Sequence, residues 1–218
     1  MRRVRPLIVL GLVFAMSAPS WASIIPAGTE DKTTLGNWLG VYGSEGYILP
    51  AYDGIGRDRV SLPSYISGYG LTNVTMYVWQ ANSPSPQGLL DPAGTGNRVE
   101  ACWYSPDPFV WSVTLTPTET KEFRLGLYML DPENARTETI TLSGAGLTGT
   151  DQVGPIFPGT WMVYDVSATA GQDIIVTFNR VGGANAVLSA MTFDPIPEPA
   201  TLGLLAAGGL LSLRRRMS

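Results

Sequence analysis

A chain of 218 residues and 23.3 kDa has room for one ordinary domain, or at most two small ones. Its 44% hydrophobic and 15% charged residues exclude a disordered polyelectrolyte, and 25 glycines with 17 prolines suit short strands joined by turns rather than a helical bundle. The absence of histidine excludes His-based triads and His-ligated zinc; a single cysteine, Cys102, excludes an intrachain disulfide; a net charge of −4 and a pI near 4.8 leave no basic footprint for nucleic acid.

The first element in chain order is a leader. Arg2, Arg3 and Arg5 precede an apolar run from Leu7 to Met16, and Ser20-Trp21-Ala22 offers small residues at −3 and −1. The pattern predicts a signal peptide over residues 1–22, cut by signal peptidase between Ala22 and Ser23. A helix over that run would rise only about 15 Å, against ~30 Å of hydrocarbon, so a membrane-spanning helix is the weaker reading.

Residues 23–196 read as one passenger domain. Its entry holds Trp38, Tyr42, Tyr47 and Tyr52 among six glycines between Gly36 and Gly56. Trp and Tyr ring faces stack on sugar rings, and glycines let a ligand approach the backbone, so these four aromatics are the candidate glycan-binding residues. The competing reading is that Trp38 and Tyr47 plug one end of a β-sandwich. Asn73-Val74-Thr75 matches a glycosylation sequon and reads as strand sequence.

Three segments then alternate with period two. In Arg98–Tyr104, Val99, Ala101 and Trp103 oppose Arg98, Glu100, Cys102 and Tyr104; in Phe109–Leu115, Phe109, Trp111, Val113 and Leu115 share a face; in Phe123–Met129, Phe123, Leu125, Leu127 and Met129 do. Such alternation predicts half-buried strands. Further strands are predicted over Val74–Trp79, Thr137–Leu142, Trp161–Val166, Asp173–Val181 and Val187–Phe193, separated by Pro- and Gly-rich turns. The expected fold is all-β: an antiparallel two-sheet sandwich of the jelly-roll kind, flanked by an N-terminal signal helix and a short C-terminal apolar helix.

Cys102 is expected to be a buried, inert thiol, having neither a His to activate it nor a second Cys. Asp131, Glu133, Arg136 and Glu138 follow a strand end. They read as a turn braced by an Arg–carboxylate pair, with a carboxylate pair for glycoside hydrolysis and a calcium site as the sharper alternatives. Asn37, Asn185 and Arg180 are donors beside glycine-rich turns. No cofactor is expected, and calcium has no loop motif to support it.

The last element is Pro197-Glu198-Pro199, an uncharged apolar run from Ala200 to Leu213, and Arg214-Arg215-Arg216. The run spans about 21 Å as a helix, short for a bilayer, and the arginines would stay on the cytoplasmic side. Setting both ends aside leaves eight basic and seventeen acidic residues in the passenger, a net charge of −9.

These 22 residues, 197–218, closely resemble the PEP-CTERM sorting signal. What the resemblance implies is processing near the Pro-Glu-Pro by exosortase, a membrane cysteine-protease-like transpeptidase, after transient membrane insertion, in a Gram-negative bacterium that makes extracellular polysaccharide. A second set of strings lies in the passenger: Gly36-Asn37-Trp38-Leu39-Gly40-Val41-Tyr42-Gly43, Cys102-Trp103-Tyr104, Tyr128-Met129-Leu130-Asp131, and Ala184-Asn185-Ala186-Val187-Leu188-Ser189 leading to Phe193-Asp194-Pro195. Together they resemble galactose-binding-like jelly rolls of secreted bacterial proteins, which implies a β-sandwich with glycan binding as a candidate activity. The expectation is an exported, non-catalytic protein of the cell surface or extracellular matrix, with exopolysaccharide as candidate partner. The alternatives are a purely structural matrix protein and, last, a carboxylate-based glycoside hydrolase.

Overall fold

A computed structural model describes residues 28–105, 110–144 and 147–197. The predicted signal peptide, the apolar C-terminal segment and Phe109 lie outside the described residues. Every named strand pairs antiparallel with its neighbours, and no α-helix occurs among the described residues.

The strands are β1 (Thr29–Asp31), β2 (Gly46–Leu49), β3 (Arg59–Ser61), β4 (Ile66–Thr72), β5 (Thr75–Gln80), β6 (Leu89–Leu90), β7 (Arg98–Tyr104), β8 (Val110–Pro117), β9 (Lys121–Leu130), β10 (Thr137–Gly144), β11 (Leu147–Val153), β12 (Gly159–Ala168), β13 (Ile174–Gly182), β14 (Val187–Leu188) and β15 (Ala190–Asp194). They form three sheets where two were expected. A central sheet runs β1-β12-β9-β15-β2-β3, a second runs β11-β10-β13-β8-β4, and a smaller one runs β14-β7-β5 with β6 added to β7.

The main core lies where the central and five-stranded sheets face each other. Phe123, Leu125, Leu127 and Met129 of β9, with Met162, Tyr164 and Val166 of β12, meet Trp111, Val113 and Leu115 of β8 and Ile174, Val176 and Phe178 of β13. In β8 the alternation is as predicted: Trp111, Val113 and Leu115 are buried while Ser112, Thr114 and Thr116 are half-buried. Fully burying one such aliphatic or Phe side chain contributes roughly 1.5–3 kcal/mol, so this interface dominates the fold's stability.

The third sheet exists because the central sheet is apolar on its other face too. Tyr128 and Leu130 of β9, Trp161 of β12 and Ala190 of β15 form a second core with Trp38, Leu49, Ala51, Tyr52, Leu89, Val99 and Ala101. The segment from Trp38 to Tyr52, β6 and β7 supply that outer cover. Strand β7 is consequently buried on both faces, Glu100 and Cys102 included, where one solvent face was expected. Glu100 is accommodated by a hydrogen bond from the Ser83 hydroxyl (2.6 Å).

The predicted strand over Val187–Phe193 is two. Ser189 leaves the small sheet and donates its N–H to the Tyr128 carbonyl (2.7 Å), so β14 and β15 belong to different sheets. Asn73 is not strand: it holds φ at 57° in the turn between β4 and β5, a left-handed conformation Asn tolerates better than most residues.

Thr192, on the central sheet, is fully buried with its hydroxyl unpaired among the described residues, in the space above Gly126. Thr192→Val, which removes an unsatisfied polar atom at nearly constant shape, should raise stability by about 0.5–1 kcal/mol in urea unfolding; a loss of 1 kcal/mol or more would mean the hydroxyl has a partner.

Candidate functional site

The segment after β1 builds a groove of about 460 Å³ lined by Trp38 to Ser44, Tyr47, Arg124, Asp194 and Pro197. Its backbone is a tight turn in which the Trp38 carbonyl accepts the N–H groups of Val41 and Tyr42, with Gly40 and Gly43 at φ of 77° and 78°. Both glycines occupy the left-handed region where a side chain would strain the chain.

The four aromatics named as candidate glycan-binding residues do not form one platform. Trp38 is 1% exposed; its indole N–H donates to the Leu90 carbonyl (2.9 Å), and the ring of Tyr47 meets it edge-on at 5.3 Å. Only its rim reaches the groove. Tyr52 is also buried, with its hydroxyl on the Leu89 carbonyl and the Arg59 guanidinium over its ring. Both rings were drawn inside because the central sheet's second apolar face needs covering.

Tyr42 and Tyr47 are half-buried and do line the groove. Tyr42, however, lies against Trp161 at 4.5 Å, and its hydroxyl donates to Asp31 (2.8 Å). Burial, then the Asp31 hydrogen bond, pushes the Tyr42 hydroxyl well above its ordinary pKa. For Asp31, burial acts upward but is outweighed by hydrogen bonds from Thr34, Thr33 and Tyr42, which hold the carboxyl well below the usual range.

The groove's charges are engaged as well. Asp194 accepts Gly43 N–H and Ser44 N–H, each at 2.7 Å, and the Ser44 hydroxyl at 2.8 Å; Arg124 pairs with Asp165 at 2.9 Å. Asp194 thereby pins the end of the last strand to the Gly-rich turn.

A second concavity, about 220 Å³, opens at the edge of the small sheet. Tyr77, Trp79, Cys102, Tyr104, Glu133, Arg136, Ala184 and Asn185 line it. Tyr77 and Trp79 come from edge strand β5 and Tyr104 from β7, where the register shifts between Val78 and Gln80. Such a bulge re-aims side chains at a sheet edge. Tyr77 stands perpendicular to Tyr104 (90°, 6.4 Å) and nearly so to Trp79 (78°, 5.6 Å), and remains 47% exposed.

The polar wall is the cluster read from the sequence after β9, joined by the turn after β13. Asp131 is fully buried and accepts the N–H groups of Glu133, Ala135 and Arg136 and one guanidinium N–H of Arg136 (2.6 Å). Arg136 also donates to Glu133 (2.7 Å) and to the Asn185 side-chain carbonyl (2.9 Å), with its guanidinium 5.4 Å from the Trp79 ring centre. Gly183 makes this approach feasible: a Cβ there would fall 2.4 Å from the Ala135 carbonyl oxygen, and its φ is 81°. The Arg-braced turn is therefore present, while Glu138 is separate from it, fully buried with one oxygen accepting Val187 N–H at 2.7 Å.

Cys102 floors the cleft at 1% exposure, and burial pushes its thiol well above the ordinary value. Asn37 accepts from Arg98, and Arg180 donates to the Gly183 carbonyl, so neither lines this cleft. Among the described residues no group of three or more carboxylates or thiols is arranged to hold a metal ion. Ala22, Ser23, Glu198, Pro199, Arg214, Arg215 and Arg216 lie outside the described residues; Pro197, the last described residue, is exposed at the rim of the larger groove.

Tyr77, Trp79 and Tyr104 were missed as site residues. The signal was present as aromatics two apart in Tyr77-Val78-Trp79 and as Tyr104 closing an alternating strand. No family model, curated protein or solved structure matches the chain.

Proposed function

We propose that this chain is an exported, non-catalytic β-protein, sorted by exosortase to the surface or extracellular matrix of a Gram-negative bacterium, where it associates with exopolysaccharide. The observation that carries the reading is the ordered tail: Pro197-Glu198-Pro199, an apolar run to Leu213, then Arg214-Arg215-Arg216. Its placement supports the same idea. The last strand ends at Asp194, so a cut near the Pro-Glu-Pro would leave every named strand and the Asp194 clamp intact. Signal peptidase and exosortase are the processing partners, and residues 200–213 hold the chain in the membrane only until that cut.

The body is, in this reading, a galactose-binding-like jelly roll whose central sheet carries an extra layer. Two antiparallel sheets enclosing one apolar core support the sandwich. A binding role is favoured over hydrolysis because, of the carboxylates after β9, Asp131 and Glu138 are buried and engaged by the fold, which leaves Glu133 without a second carboxylate facing it. Asp131 accepts four N–H bonds, and Glu138 accepts from the Val187 backbone. Glycoside hydrolysis needs two carboxyl groups facing each other across a sugar.

Mass measurement of the exported chain tests the sorting. The expected product begins at Ser23 and ends near Glu198 in an exosortase-bearing host, and keeps its tail when exosortase is deleted. An identical C-terminus in both hosts would remove the proposal.

A further inference from the structure

We propose that the cleft of Tyr77, Trp79 and Tyr104 binds one neutral pyranose unit of a polysaccharide chain, with Glu133 and Asn185 as its hydroxyl partners. This rests on the reading of the protein as a polysaccharide-associated one, and locates the contact away from the groove of Trp38 and Tyr42.

Shape and size come first. The cleft's volume of about 220 Å³ is below the ~300 Å³ at which drug-sized sites begin, and suits a single ring. It lies against β5, the outer strand of the small sheet, and so at the edge of that sheet, where a polymer has access. Walls at 78° and 90° to Tyr77 make a corner rather than a flat platform. A pyranose set in that corner lays its C–H face on one ring and its edge on another, and apolar surface of both partners leaves water.

Unused bonding capacity comes second. The hydroxyls of Tyr77 and Tyr104 bond to no described residue. Glu133 gives one oxygen to Arg136 and keeps the other, with its side chain 55% exposed. Asn185 uses its carbonyl on Arg136, and its amide N–H pair bonds to no described residue. The cleft therefore presents donors and acceptors together, as a polyol requires. In the larger groove, by contrast, Tyr42 and Asp194 are hydrogen-bonded within the chain, and Arg124 is paired with Asp165.

Charge selects the class. Trp79 and Tyr104, each steeply inclined to Tyr77 beside a carboxylate, could also cage a quaternary ammonium. Here the Arg136 guanidinium already lies over the Trp79 ring, so a second cation would have to share that ring with it. Asp131 and Glu133 balance that arginine and oppose an anionic sugar. A neutral ring meets neither penalty. Arg136 acts as a positioning residue: 4% exposed, it fixes Glu133 and Asn185 through one guanidinium.

The test uses the full chain and tryptophan fluorescence titrated with neutral gluco-, manno- and galacto-oligosaccharides, a uronic-acid oligosaccharide and choline. Saturable binding of a neutral oligosaccharide is expected. Tyr77→Ala should weaken it at least tenfold and Tyr77→Phe less than threefold. Tyr42→Ala, in the other groove, should leave it unchanged. Because Tyr77 is exposed on an edge strand, its truncation should not disturb folding, which far-ultraviolet circular dichroism checks. Sugar binding lost in Tyr42→Ala but kept in Tyr77→Ala would overturn this site and leave the polysaccharide association standing. Choline binding without sugar binding would overturn it in favour of an ammonium cage, and preference for the uronic-acid oligosaccharide would overturn its neutral specificity. No binding of any probe would overturn the site while exosortase processing, read separately by mass, stands or falls on its own.

Discussion

Asp131→Ala is expected to lower folding stability by about 3–5 kcal/mol, because it leaves a buried guanidinium without its closest counter-charge. The side chains of Arg136 and Asp131 are 4% and 1% exposed and meet at 2.6 Å. Asp131 also accepts the backbone N–H groups of Glu133, Ala135 and Arg136 at 3.2, 2.9 and 2.8 Å. Alanine orphans all of these donors at once, and each buried unsatisfied group costs about 1–3 kcal/mol. The urea midpoint should fall with little change in m, since the surface exposed on unfolding is nearly the same.

The double change Asp131→Leu with Arg136→Met should cost less than Asp131→Ala alone, because no buried charge is then left unpaired: Glu133, which loses Arg136, is 55% exposed, and the three backbone N–H groups are orphaned in both variants. Arg124→Ala provides the contrast. Its pair with Asp165 is 32% and 46% exposed, so the loss should stay below about 1 kcal/mol. Similar losses for Asp131→Ala and Arg124→Ala would show that burial does not strengthen the Asp131–Arg136 pair.

The second large effect is a pH dependence centred on Glu138. Burial pushes its carboxyl from an ordinary 4.5 up to about 8; the Val187 N–H and the charge of Arg136 act in the other direction but do not offset it. One oxygen has no partner among the described residues. The folded chain then binds this proton more tightly than the unfolded chain does. Its contribution is complete below about pH 4.5, declines as pH rises, and is gone once pH has passed through about 8.

The full swing is on the order of 5 kcal/mol. Glu138→Gln should flatten the fall in the urea midpoint between pH 5 and pH 9. Parallel curves for the two proteins would mean that the buried carboxyl titrates normally. Asp31 and Glu45 do not confuse the result. Their carboxyls are held below the ordinary value, so their contributions are present at neutral pH and are lost only in acid, below the window in question.

Much of the strand content was legible because period two survives wherever one face meets a core. Trp111, Val113 and Leu115 announce β8, and Phe123, Leu125, Leu127 and Met129 the inner face of β9. The weaker strands were not legible. β2 and β6 are short, and β4 reads Ile-Ser-Gly-Tyr-Gly-Leu-Thr, whose glycines carry no pattern. The expectation of two sheets failed at Tyr128 and Trp161. A large aromatic opposite a core face reads as amphipathic surface, yet both are fully buried, with ring centres 4.9 Å apart, under the third layer.

The candidate cleft divides in the same way. The turn of Asp131, Glu133 and Arg136 was readable because its partners lie within five residues, where an Arg and two carboxylates can meet without help from the rest of the chain. Its meeting with Asn185, 49 residues on, and with Trp79 was not, because it depends on Gly183 letting one loop press against another and on a bulge in an edge strand. From the order of residues alone came the all-β character, together with the expectations of terminal tags and of a buried cysteine, since each rests on local composition or a short period. Which aromatics are core and which face a ligand was settled by packing: a Trp or Tyr has the same apolar ring in either place, and its role depends on whether another sheet comes to lie over it.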